Sequence, residues 1–128
     1  MDNTYCGLVC EFNKTYNNHL YMVSPDAFKD QDKKIVPVTY DDDFRSAIGS
    51  AVIDNRTDGL FANITFNEPH LDYIQCLNTG LYSLGFYANK IEQVIDNENK
   101  IITKGNICVI LLLPRKFGPD EEVQNEYL

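Results

Sequence analysis

Near its C-terminal end the chain runs Ile107-Cys108-Val109-Ile110-Leu111-Leu112-Leu113, seven residues without a polar side chain, bounded by Gly105 and Pro114. A run this short and this rich in branched residues reads as a strand buried on both faces. The chain around it has 128 residues, enough for one domain with a real core.

The remaining segments are also short and strand-like. Tyr5 to Asn13 alternates, with Cys6, Leu8, Cys10 and Phe12 forming an apolar side expected to face the core. Asn13 to Asn18 is a polar turn, and Leu20 to Val23 a short apolar run. Ser24-Pro25 suits the start of a helical turn, with serine as N-cap and proline at the first helical position. Lys29 to Lys34 reads as a charged loop. Ile35 to Tyr40 is a strand that Pro37, lacking an N–H, assigns to an edge or a strand start. Ile48 to Ile53 and Leu60 to Phe66 are strands joined through the turn signal Thr57-Asp58-Gly59.

One helix is expected over His70 to Asn78, opened by Pro69 and closed by Gly80. Gly80 to Asn89 reads as a strand interrupted by Gly85. Glu92 to Ile95, a turn at Asp96-Asn97-Glu98-Asn99, Ile101 to Thr103 and a second turn at Lys104-Gly105-Asn106 follow. This rhythm predicts a mostly β, α+β domain over residues 1–114: an antiparallel β-barrel, closed or nearly so, with one or two flanking helices. Residues 115–128 are polar and acidic and read as a mobile tail.

The net charge of −8 argues against nucleic-acid backbones and anionic membrane surfaces. No apolar run approaches a membrane span, and the N-terminus lacks the pattern of a secretory signal. Cys6-x-x-x-Cys10 has no second close pair to complete a zinc site, so reduced core thiols are expected, with no metal and no cofactor.

Ser83 is a small polar group within an apolar strand. Two readings stand: a strand serine bonded to backbone, or a nucleophile, if a base lies nearby.

Taken in order, these segments resemble the phage prohead protease family, the serine proteases that clear scaffold from a maturing capsid. The matching stretches are Gly7-Leu8-Val9-Cys10-Glu11-Phe12-Asn13, Met22-Val23-Ser24-Pro25-Asp26-Ala27-Phe28, Val36-Pro37-Val38-Thr39-Tyr40, Ala47-Ile48-Gly49, Asp58-Gly59-Leu60, Leu81-Tyr82-Ser83-Leu84-Gly85-Phe86 and Ile107 to Pro114. The resemblance implies a β-barrel flanked by helices, related to herpesvirus maturation proteases, with Ser83 at the nucleophile position.

It also exposes departures. The family histidine falls on Asp42, and a carboxylate that ionises near about pH 4 is a poor base for a serine hydroxyl. The acid of the closing strand has no counterpart between Ile107 and Leu113. The two histidines are His19, in a polar turn, and His70, at the start of the expected helix and a candidate displaced base. The expectation is a non-catalytic prohead-protease-like domain acting as a structural or assembly protein of a phage capsid. It would bind a capsid or scaffold protein or itself, in host cytoplasm or virion. The alternatives are an active serine endopeptidase using a displaced base, and a small acidic protein-binding module.

Overall fold

The structure is a computed structural model, and it describes residues 3–15, 21–41, 43, 45–67, 72–97 and 99–114. In chain order the elements are β1 (Thr4–Glu11), β2 (Tyr21–Val23), a short 3-10 turn (Lys29–Gln31), β3 (Ile35–Tyr40), β4 (Ala47–Asn55), β5 (Gly59–Phe66), α1 (Asp72–Asn78), β6 (Tyr82–Asp96) and β7 (Asn99–Pro114). The domain is mostly β, as the strand-turn rhythm predicts. The expected start of the helix, His70 and Leu71, lies outside the described residues.

All of the strands share one sheet. Its path runs β1-β5-β4-β3-β7, and β6 takes the other edge of β7 along nearly its whole length, from Asp96↔Asn99 to Tyr82↔Pro114. The first edge of β7 is shared: β2 pairs with Lys100 to Ile102 and β3 with Ile110 to Leu112. The sheet curls into an open half-barrel rather than a closed barrel. Two of its edge strands, β1 and β6, approach without pairing: a Cβ on Gly7 of β1 would lie 3.0 Å from Leu84 Cδ1 of β6.

The pairing is mostly antiparallel, as expected, but β2 and β3 both run parallel to β7. A parallel pair needs a long crossover. For β3 and β7 that connection holds β4, β5, α1 and β6. The pairing is therefore decided far along the chain and leaves no local turn signal.

Between the stretches paired to β2 and β3, side chains take over the ladder. The Ile107 N–H donates to Gln31 Oε1 (3.2 Å), while the Lys34 ammonium donates to the Ile107 carbonyl (2.8 Å), Asn106 Oδ1 (2.7 Å) and Gln31 Oε1 (3.2 Å). The stretch read as a charged loop thus clamps the central strand. Lys104-Gly105-Asn106 is strand and not the expected turn: Lys104 pairs with Glu92 and Asn106 with Asn89 across β6, and Lys34 holds the Asn106 amide oxygen. Gly105 serves there by its size. A Cβ would stand 2.9 Å from Cε1 of Phe28, a fully buried ring packed edge-on to Phe86 at 5.4 Å.

Three further local readings change. Pro37 lies in an interior strand, yet it opposes Ser50 of β4, and the β7 ladder begins only at Val38, so its missing N–H breaks no bond there. Gly80 to Asn89 and Glu92 to Ile95 are one strand, β6, carried through a bulge at which Lys90 takes φ 52. In β1 the register slips between Leu8 and Cys10 against β5. That slip moves the buried positions from Gly7 and Val9 to Cys10 and Phe12. Cys6 is therefore exposed and Leu8 is 42% exposed, against the expectation that both are core. A single extra residue reverses the facing of everything beyond it.

The core lies inside the curl, with Phe28, Phe66, Ile53, Leu60, Ile64 and Ile110 among its fully buried side chains. Val109, Leu111 and Leu113 form a second buried cluster on the outer face of β7. The run from Ile107 to Leu113 is therefore buried on both faces, as its composition predicts.

Gly105→Ala should lower unfolding stability by about 1–3 kcal/mol, the usual cost of overpacking. Urea denaturation measures it, and an unchanged midpoint would show that Phe28 can yield.

Candidate functional site

Ser83 stands near the start of β6, half-buried. Alternation along the strand turns Leu84, Phe86 and Ala88 into the core and Ser83, Gly85 and Tyr87 to the outer face. Its cross-strand partner is Leu113, and Gly85 opposes Leu111. The Leu113 side chain leans over Gly85, so that a Cβ there would meet Leu113 Cδ1 at 2.7 Å. On the far side of β7, Thr39 of β3 opposes Leu111 on the same outer face. Ser83 and the end of β3 thus flank one apolar stripe, and no residue of β7 between them ionises near neutral pH. The Thr39 hydroxyl is buried without a hydrogen-bond partner.

Beyond β3 the chain turns at Asp41, which takes φ 53, a conformation that aspartate tolerates better than most residues, and its N–H donates to the Leu112 carbonyl at 2.8 Å. Asp43 is exposed, with Arg45 Nε 3.5 Å from its carboxylate. Asp42, His70 and His19, the residues weighed as bases, lie outside the described residues. An ordinary serine hydroxyl becomes a nucleophile only when a base takes its proton. Among the described residues, the cross-strand partner of Ser83 is Leu113 and the next residue on its face of β6 is Gly85, and neither is a base.

On the core side of the same strand ends is a cluster that the sequence reading missed. Tyr40, Tyr73 and Tyr82 pack in a triangle, with ring centroids 5.7 Å apart for Tyr40–Tyr82 and 5.8 Å for each of the other two pairs. Phe66 adjoins Tyr73 at 6.2 Å. The rings come from β3, α1, β6 and β5 and hold the helix against the end of the sheet. A hydrogen bond with Tyr40, reinforced by burial, pushes the Tyr82 phenol up to about 12. The aromatic residue beside each turn signal was visible in the sequence, but nothing local said that three of them meet.

Elsewhere, Arg56 stacks over the Phe61 ring at 4.1 Å, bonds Asp54 at 2.8 Å and reaches Cys6 Sγ at 3.3 Å. All four cysteines are free. Burial pushes the Cys10 thiol up to about 12, which makes it inert at neutral pH. Among the described residues no group of three or more His, Cys, Asp or Glu side chains could hold a metal ion, and no helix is long and apolar enough to cross a membrane. An open cavity of about 460 Å³ lies between Asp26, Ala27, Lys29, Asp30, Thr103 and Lys104. Its carboxylates and ammonium groups offset one another, so it presents no single sign of charge to a ligand.

Set against known families, curated proteins and solved structures, the chain matches none of them.

The tyrosine cluster predicts an alkaline limb in stability. The folded state holds the Tyr82 proton more tightly than the unfolded chain, whose phenol titrates near 10.0. That contribution is whole below pH 10 and is lost as the pH rises towards about 12. Tyr82→Phe should flatten this limb in chemical denaturation followed across alkaline pH, at a basal loss of about 0.5–1.5 kcal/mol for the hydrogen bond. An equally steep limb in the variant would assign the titration elsewhere.

Proposed function

We propose that this chain is a non-catalytic, prohead-protease-like domain that serves as a structural or assembly component of a phage capsid, binding a capsid or scaffold protein. The family element rests on the ordered resemblance of its segments, from Gly7 through Ser83 to Pro114. The non-catalytic element rests on one observation: Ser83, at the position of the family nucleophile, pairs with Leu113 beside Gly85 on a face whose central strand carries no base. Without a base a serine loses orders of magnitude in rate. A scaffold freed of its chemistry can still be kept for its contacts, since fold and function separate readily.

Fluorophosphonate labelling tests the chemistry and copurification with capsid or scaffold proteins tests the role. Ser83 should label no faster in the native protein than in the denatured one. Ser83→Ala should change stability by about 1 kcal/mol or less and leave partner binding intact. Stoichiometric labelling of native Ser83, abolished by denaturation, would establish an active endopeptidase instead. An unlabelled protein that binds neither capsid nor scaffold would be an acidic binding module of another kind.

A further inference from the structure

The distal half of β6 is an edge. Among the described residues β6 pairs with β7 alone. Its proximal half curls towards β1 near Leu84, and the bulge between Asn89 and Glu92 separates that half from the rest. From Glu92 to Asp96 every side chain is exposed, including Val94 at 52% and Ile95 at 72%. An exposed edge carrying β-formers offers outward N–H and C=O groups that can template another strand.

The sequence of this edge is complementary to itself. Lys90-Ile91-Glu92-Gln93-Val94-Ile95-Asp96 has a cation at one end, an anion at the other and an isoleucine inside each. We propose that β6 pairs antiparallel with β6 of a second copy of this chain, about a two-fold axis at Gln93. In that register Lys90 stands opposite Asp96 of the partner subunit, Ile91 opposite Ile95 of the partner subunit and Glu92 opposite Val94 of the partner subunit. Both symmetric copies of each pair form, as an isologous interface requires. Cross-strand pairs of opposite charge and of β-branched residues are the favourable ones.

Neighbouring registers lose this match. Moving the axis to Val94 places Glu92 opposite Asp96 of the partner subunit, two carboxylates facing each other. Moving it to Glu92 places Lys90 opposite Val94 of the partner subunit and removes the ion pairs. One bulge keeps Lys90 at φ 52 and a second shift falls between Glu92 and Gln93, so the ladder to β7 is regular from Gln93 to Asp96 and the lysine closes each end from outside it. An interface of so few residues falls below the area of a stable dimer, so the association is weak and depends on concentration.

Sedimentation equilibrium of the full chain from micromolar to millimolar concentration tests this. The wild type should shift from monomer to dimer across the series. Asp96→Lys and Lys90→Asp should each weaken association by roughly tenfold, since like charges replace two opposite pairs. The double variant carrying both changes should recover the wild-type constant, a rescue that no general effect on folding would produce. Ile95→Ser, at an exposed site, should weaken association with its circular dichroism unchanged. A wild type that stays monomeric throughout, or a double variant as weak as either single one, overturns the proposal. Either result leaves the capsid reading untouched, because labelling of Ser83 and copurification decide that separately.

Discussion

Everything in this fold leans on β7. It is paired along one whole edge by β6, shares its other edge between β2 and β3, and is buried on both faces from Ile107 to Leu113. Each unmet backbone group in so apolar a place would cost about 1–3 kcal/mol. The gap between β2 and β3 is where that cost would fall, and Gln31 and Lys34 fill it with side-chain bonds to Asn106 and Ile107. The Lys34 ammonium has three acceptors around it, which is the condition under which a cation is held beside a core.

Two faces of one strand set the layout of the candidate site. Inward, Ile110 and Leu112 join the main core, and the tyrosine triangle closes the sheet end around them. Outward, Leu111 and Leu113 form an apolar stripe with Ser83 on one flank and Thr39 on the other. A hydroxyl at that flank meets aliphatic carbon and glycine. Chemistry of the acyl-transfer type depends on a positioned base and orienting acid, and the described residues of the stripe, Val109, Leu111 and Leu113, are neither.

The half-barrel also leaves its edges to be managed. β1 and β6 approach where Gly7 meets Leu84, while the distal part of β6 projects past them with its bulge at Lys90. Bulges commonly blunt an edge against uncontrolled pairing. Here the bulge also divides β6 into a stretch that belongs to the curl and a stretch exposed to solvent, which lets one strand serve two surfaces.

The sequence alone determined the strands, because burial and period are written locally. The alternation from Leu60 to Phe66, the Asp58-Gly59 turn and the unbroken run to Leu113 each specify their element without help from afar. Ser83 was also legible as the polar group in an apolar strand. Three things were decided only by the tertiary structure. The parallel pairing of β3 with β7 joins residues some seventy positions apart, beyond any local pattern. The slip at Val9 in β1 came from fitting β5 and reversed the expected facing of Cys6 and Leu8. Lys104-Gly105-Asn106 carries turn residues, yet Phe28 needs the space above Gly105 and Lys34 needs the Asn106 amide oxygen, so packing overrode propensity. Local sequence chooses the element; which face it shows and which strand it joins depend on contacts that exist only once the sheet has closed around β7.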